Sequence, residues 1–111
     1  MIIFAELFKL NQTMKAVILN ENGGTDKLIY TEEHPTPEIK PNEVLVNIKA
    51  TSVNRADLVI RGGYPGLALS FPHILGGDIA GVIAKTGSEV KGFEEGDRVA
   101  AWSIVSEADD D

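Results

Sequence analysis

The chain has 111 residues, 43% of them hydrophobic and 24% charged, which is the balance of one globular domain and excludes a disordered segment. A formal net charge of -7 argues against nucleic-acid binding, because that affinity depends on Lys and Arg side chains that contact phosphates. The chain contains no cysteine, which excludes disulfides and thiolate metal ligands and agrees with a cytoplasmic location.

Residues 1–13 are interpreted as an N-terminal extension in front of the domain. No basic stretch precedes their apolar run and no small-residue cleavage site follows it, so the pattern is a poor signal peptide. The run is also shorter than the ~20 apolar residues that a membrane-spanning helix needs. The spacing of Ile3, Leu7 and Leu10 predicts one face of a helical turn. The alternative is a short amphipathic piece that covers an exposed strand edge.

Short apolar runs separated by glycine and proline predict β-strands from Met14 onward. The predicted strands cover residues 15–20, 28–33, 43–53, 79–86 and 98–102. Turns or connectors separate them at residues 22–24, 35–41 and 90–97, where glycine and proline concentrate. This arrangement predicts a mainly β fold, a small barrel or sandwich, without a parallel α/β sheet.

Residues 43–53 carry the clearest strand pattern of the chain. Even-numbered positions from Val44 to Ser52 fall on one face, and Asn47, Lys49 and Thr51 fall on the other, as in a half-buried strand. Asn54 then follows as a plausible N-cap, so residues 54–61 are predicted to form a short helix that ends in a glycine-rich loop. Residues 103–111 are predicted to form a solvated acidic tail.

A dinucleotide-binding fingerprint is absent from the chain. Gly76, Gly77 and Gly81 give only G-G-x-x-x-G, and the sequence that follows favours a strand where the fingerprint requires a helix. A metal site is not expected either, because zinc needs three or four ligands in a tight shell. The histidines His34 and His73 stand in separate connectors beside prolines, and a metal site would have to recruit Asp57 or Asp78 as well.

Two local patterns have both a structural and a functional interpretation. Asn54 and Asp57 stand three residues apart, either as a helix cap with its first-turn carboxylate or as an amide and a carboxylate at the mouth of a pocket. Tyr64 stands in a glycine- and proline-rich loop, where it either pins the loop to the barrel or lines a substrate pocket.

Several linked motifs in a fixed order resemble the N-terminal catalytic domain of medium-chain dehydrogenases/reductases. The resemblance covers residues 14–102 and implies a GroES-like, partially open β-barrel with one or two short helices. It rests on Met14-Lys15-Ala16-Val17, Val44-Leu45-Val46, Asn54-Arg55-Ala56-Asp57-Leu58, Arg61-Gly62-Gly63-Tyr64, Pro72-His73-Ile74-Leu75-Gly76, Asp78-Ile79-Ala80-Gly81-Val82-Ile83 and Gly96-Asp97-Arg98-Val99.

The resemblance also implies which branch of the family the chain is similar to. Asn54 and Gly77 stand where the zinc alcohol dehydrogenases have a cysteine and a histidine ligand, and Ala56 stands where they have a proton-relay Ser or Thr. The chain is therefore similar to the zinc-free quinone oxidoreductases, which bind NADPH between this domain and a Rossmann domain. Such enzymes pass a hydride to a quinone or an enone.

Within that resemblance, Asn54 and Tyr64 are expected to act near the nicotinamide and the substrate carbonyl, with Asp57 and Arg61 beside them in the cleft. Because the glycine fingerprint is missing, the resemblance implies either a fragment of such an enzyme or a split subunit that pairs with a Rossmann-domain subunit, and we expect the 111-residue chain alone to be inactive. Unpaired strand edges predict a homo-oligomer. The alternative is a GroES-like binding or oligomerisation module without activity; a co-chaperonin is disfavoured because the fold alone does not carry that function.

Overall fold

The computed structural model describes residues 2–5 and 13–102. Within these ranges the chain forms six β-strands, one α-helix and a 3₁₀ turn at Thr25–Lys27, so the predicted mainly β fold is confirmed. The strands are β1 (Ile2–Ala5), β2 (Thr13–Leu19), β3 (Leu28–Pro35), β4 (Val44–Thr51), β5 (Asp78–Thr86) and β6 (Arg98–Trp102), and the helix is α1 (Arg55–Gly62). Neither α1 nor the 3₁₀ turn in these ranges is long and apolar enough to cross a membrane.

The strands form two sheets, which pack against each other at the start of β4. The first sheet has four strands in the order β1-β4-β5-β6, and the second is the antiparallel pair β2-β3. In the first sheet β4, β5 and β6 pair antiparallel, while β1 pairs parallel with β4. This open arrangement agrees with a partial GroES-like barrel.

The N-terminal segment contains a strand in place of the predicted helical turn. Ile3 pairs with Leu45 in the β1–β4 register, so the helical interpretation is wrong at this position, while Leu7 and Leu10 lie outside the described residues. The physical reason is that isoleucine and phenylalanine favour strands and that β4 offers an edge with free hydrogen-bonding groups. This pairing is what the alternative of a segment that covers a strand edge requires.

Strand β4 does not show the predicted alternation of buried and exposed positions. Val44 and Val46 pack with Ile79 and Ile83 on one face, and Leu45, also buried, packs with Met14 of β2 on the other face. The second half of the strand, residues 49–51, is exposed whichever way its side chains point. The alternation fails because β4 is covered on both faces at its start, and because two bulges shift its register with β5.

Glycines allow the backbones around β5 to approach each other closely. Gly81 pairs with Ile48, and a Cβ on Gly81 would lie 2.9 Å from Val46 Cγ1 and 3.0 Å from the carbonyl carbon of Asn47. A Cβ on Gly87 would likewise collide with the backbone at Pro41. These two positions require glycine because there is no room for a side chain.

The buried carboxylate of Glu43 organises the connector that leads into β4. Its Oε1 accepts a hydrogen bond from the backbone N–H of Lys40 at 2.8 Å, and only 4% of the residue is exposed. The backbone N–H of Gly87 donates to the Glu43 carbonyl at 2.7 Å. The proline-rich connector is thereby fixed against the end of β5, and this sets the position at which β4 begins.

Candidate functional site

Polar side chains meet at one end of the four-stranded sheet. Strand β4 ends at Thr51 and β5 begins at Asp78, and because the two strands run antiparallel these residues lie at the same end. Residues 52–54 leave this end of β4 and lead into α1. We call Ser52, Asn54, Asp57 and Asp78 the sheet-end cluster.

Asp78 is the acceptor at the centre of the sheet-end cluster. Its Oδ2 accepts a hydrogen bond from the Ser52 hydroxyl at 2.8 Å and a second, short one from Nδ2 of Asn54. The Thr51 hydroxyl donates to the backbone carbonyl of Asp78 at 2.7 Å. A carboxylate that accepts two side-chain donors orients both of them, because charge-assisted hydrogen bonds are stronger than neutral ones.

The N-terminus of α1 holds the backbone of Asn54 while its side chain points to Asp78. Asn54 has extended backbone angles, φ -113° and ψ 160°, as expected of an N-cap. The Asp57 carboxylate accepts from the Asn54 backbone N–H at 2.9 Å, and the Asp57 N–H donates to the Asn54 carbonyl at 2.9 Å. Asp57 is the buried residue of α1, with 9% of its surface exposed. The predicted cap and first-turn carboxylate are therefore present, and the Asp57 carboxylate holds the backbone of Asn54.

Arg61 lies at the opposite end of α1 and bonds to the turn after β2. Its Nε donates to the Gly23 carbonyl at 3.2 Å, and the Gly23 N–H donates to the Arg61 carbonyl at 2.9 Å. The side chain of Asn22 adds hydrogen bonds to the carbonyls of Ile60 and Arg61. An eight-residue helix is about 12 Å long at 1.5 Å per residue. Arg61 is therefore separated from Asn54 by the length of the helix.

Tyr64 follows the C-terminus of α1 and is largely exposed. The helix ends at Gly62 and is followed by its C-cap Gly63, whose φ of 102° reverses the chain, and 58% of the Tyr64 surface remains accessible. Its carbonyl accepts from the Leu67 N–H in a turn. The structure thus brings Asn54 and Asp57 together, and places Arg61 and Tyr64 at the other end of the helix.

The two histidines do not converge with the sheet-end cluster. His73 exchanges two backbone hydrogen bonds of 2.8 Å with Leu19, and burial lowers the pKa of its half-buried imidazole below 6.5. His34 pairs with Met14 in the β2–β3 sheet. Among residues 2–5 and 13–102 there is no group of three or more His, Cys, Asp or Glu side chains that could hold a metal ion.

Sequence reasoning missed the central role of Asp78. The sequence indicates Asp78 only as a possible metal ligand and as part of a motif. The antiparallel pairing of β4 and β5 is the signal that could have identified Asp78. In such a pair, the residue that starts β5 lies beside the residues that follow β4. The neighbouring glycines lead directly into β5, so the prediction that a strand and not a helix follows them is confirmed.

The region that contains the sheet-end cluster matches a known domain. Residues 40–110 match the alcohol dehydrogenase GroES-like domain. The chain belongs to this family. The resemblance inferred from the sequence motifs is therefore confirmed, and relatives of this GroES-like domain include quinone oxidoreductases.

Two relatives show what this GroES-like domain is similar to. A zinc-type alcohol dehydrogenase-like protein of Schizosaccharomyces pombe is 44% identical over 78% of this chain and 25% of its own length. The chloroplastic NADPH-dependent alkenal/one oxidoreductase of Arabidopsis thaliana is 38% identical over 79% of this chain and 23% of its own length.

A solved structure is similar to this domain as well. The Escherichia coli quinone oxidoreductase complexed with NADPH superposes with a TM-score of 0.71 and 35% identity over 82% of this chain and 28% of that chain. The GroES-like domain described here therefore spans about a quarter of the length of these three proteins.

Proposed function

We propose that this GroES-like domain is the substrate-side part of a zinc-independent, NADPH-dependent quinone or enone oxidoreductase. The observation that carries the proposal is the amide of Asn54, held by Asp78 at the end of the four-stranded sheet. By resemblance, this is the position at which zinc alcohol dehydrogenases have a metal ligand. Relatives named as quinone and alkenal/one oxidoreductases support the same reaction class.

In this proposal NADPH would meet the domain only at its nicotinamide end. Asn54 offers amide hydrogen-bonding groups there, whereas the glycines at 76 and 77 lead into a strand and cannot cradle a pyrophosphate as a helix N-terminus does. We therefore propose that a Rossmann-domain partner binds the phosphates. NADPH, when bound, supplies the hydride, and the domain supplies orientation and shape.

The residues of this domain would act by hydrogen bonding and by excluding water. Asn54 would donate its remaining N–H to the substrate oxygen as negative charge develops there, and Asp57 would keep the Asn54 backbone in place. Tyr64 and Arg61 would border the cleft at the far end of α1. The outward side chains of α1 support a covering partner, because Leu58 and Val59 are 51% and 43% exposed.

A domain exchange tests this proposal. The chain would replace the corresponding domain of the Escherichia coli quinone oxidoreductase, and NADPH oxidation by a quinone would be followed by absorbance. We expect turnover by the fused enzyme, none by the 111-residue chain alone, and a loss of about 10²-fold in kcat/KM for Asn54→Ala in the fusion. Asn20→Ala, at an exposed position outside the cluster, is the control. A folded fusion that binds NADPH yet is insensitive to Asn54→Ala would contradict the role of that amide.

Zinc independence is a separate part of the proposal. It is supported by the absence of cysteine and by Asn54 and Gly77 at the two positions where the resemblance predicts zinc ligands. The name of the fission yeast relative includes zinc, so the point needs its own test. We expect the fused enzyme to keep full activity after dialysis against a chelator, and activity that disappears and returns with added zinc would refute this part.

A second candidate function is a binding or oligomerisation module. Two observations favour it: the apolar side chains of Val17 and Ile29 are 47% and 45% exposed on the β2–β3 sheet, and β6 ends the order of the four-stranded sheet. We propose that the chain forms a dimer or a larger homo-oligomer through such an edge. Sedimentation over a wide concentration range tests this, and a monomer at high concentration would contradict it. The proposal includes a cytoplasmic location, which a fluorescent fusion would check.

A further inference from the structure

We propose that Asp78 is a positioning residue that fixes which end of the Asn54 amide faces a ligand. The contact between Asp78 and Asn54 is observed within this chain and does not depend on the proposed function. What Asn54 then does to a ligand rests on the proposed function. The two parts are therefore tested by different measurements.

The first step of the argument is the chemistry of a primary amide. Its two ends are nearly equal in size, and they differ in that one end donates two hydrogen bonds and the other accepts them. An ionised carboxylate only accepts. Asn54 therefore keeps its Nδ2 toward Oδ2 of Asp78, because a flip would bring two acceptors together.

The second step is the way Asp78 itself is held. Its backbone carbonyl accepts from the Thr51 hydroxyl, and its Oδ2 also accepts from the Ser52 hydroxyl. Asp78 itself pairs with Trp102 in the β5–β6 ladder. The carboxylate is thus fixed by the sheet, while the backbone of Asn54 is fixed separately by Asp57.

As a consequence, one N–H of the Asn54 amide is hydrogen-bonded to Asp78 and the other N–H can donate to a ligand. With Nδ2 directed at Asp78, the amide keeps one N–H and its Oδ1 in fixed directions. Such a side chain offers a pre-oriented donor to a carbonyl oxygen, which suits a quinone or an enone, without the cost of freezing a rotor on binding. Without Asp78, only the Asp57 backbone N–H, which faces the Asn54 side chain in the capping box, would distinguish the two ends of the amide.

Nuclear magnetic resonance of the Asn54 side-chain amide in the 111-residue chain is the direct experiment. In Asp78→Asn we expect its two proton signals to shift and their exchange with water to become about tenfold faster, the factor that one exposed charge-assisted hydrogen bond supplies. The side-chain amide of Asn22, which donates to backbone carbonyls of α1, is the internal control and should not change.

Two further variants separate positioning from general loss of structure. Asp57→Asn should move the backbone signal of Asn54 and leave its side-chain exchange unchanged, since Asp57 accepts from the backbone N–H. Asp78→Glu keeps the carboxylate, so the Asn54 side-chain amide should exchange slowly in this variant. If Asp78→Asn fails to fold, the exchange rate in Asp78→Glu still tests the proposal. Unchanged Asn54 side-chain signals in folded Asp78→Asn, or fast exchange in folded Asp78→Glu, would overturn the proposal.

Kinetics of the fused enzyme distinguish this inference from the proposed function. If Asp78 positions a catalytic amide, Asp78→Asn should lower kcat about tenfold with little change in KM for the quinone, and Asp78→Glu should recover most of it. Signals that respond as expected while kcat stays constant would support the positioning contact and refute the proposed role of Asn54. Signals that do not respond would overturn the positioning contact whatever the kinetics.

Discussion

The close approach of β4 and β5 makes Gly81→Ala a decisive test of the fold. A Cβ at this position would lie 2.9 Å from Val46 Cγ1 and 3.0 Å from the Asn47 carbonyl carbon, and closer still to the Asn47 oxygen. Carbon atoms in good contact are about 3.5–4.0 Å apart. The two strands must therefore separate by about 0.5–1 Å, although they form the centre of the four-stranded sheet.

The expected cost follows from three contributions. Overpacking a core costs about 1–3 kcal/mol. Stretching one ladder hydrogen bond adds about 1 kcal/mol, and replacing glycine returns about 0.4–1 kcal/mol by restricting the unfolded chain. The net loss is about 1–3.6 kcal/mol, which a domain with a stability of about 5–15 kcal/mol survives.

Urea unfolding followed by far-UV circular dichroism is the assay, because the single tryptophan is 70% exposed and would report poorly. The midpoint should fall by about 1–2 M. Gly62→Ala is the matched control: a Cβ there meets nothing within 4 Å, and the residue lies in α1, so a gain of about 0.5–1 kcal/mol is expected. A Gly81→Ala midpoint within about 0.3 M of the parent would refute the close approach.

Three further predictions concern the residues around the site. Asp57→Ala should cost about 1–2 kcal/mol in urea unfolding, because the N-terminus of α1 loses its carboxylate acceptor, and a cost near zero would contradict the cap. Asn22→Ala should cost about 1 kcal/mol and speed amide exchange at the C-terminus of α1; unchanged exchange there would argue against the two carbonyl contacts. Burial lowers the pKa of His73, so the unfolded chain binds that proton more tightly: stability is full above 6.5 and declines as the pH falls toward the lower, folded pKa. Unfolding midpoints at several pH values should lose this decline in His73→Gln and keep it in His34→Gln.

The sequence predicted elements whose cause is local. Strands β5 and β6 were placed within one residue, because short apolar runs bounded by glycine and charged residues define them. Helix α1 was placed by its N-cap Asn54 and by the glycines after Arg61. These signals lie in a few consecutive residues, so no knowledge of the rest of the chain was needed.

The failures have a common physical cause, which is tertiary pairing. The local sequence predicts a helical turn at Ile3 because the strand partner of Ile3 in β4 is distant in sequence. The alternation of β4 failed because packing on both faces overrides a period of two. Asp78 was undervalued because its two donors, Ser52 and Asn54, come within reach only through the β4–β5 register.

Helix α1 is fastened at its two ends to different sheets. Its N-terminal end is bonded through Asn54 to Asp78 of the four-stranded sheet, and its C-terminal end is bonded through Asn22 and Gly23 to the turn that follows β2. Because α1 is bonded at both ends, a movement of either attachment relative to the other would tilt the helix. A displacement of the turn at residues 22–24 would therefore move the C-terminal end of α1, about 12 Å from the Asn54 end of the helix.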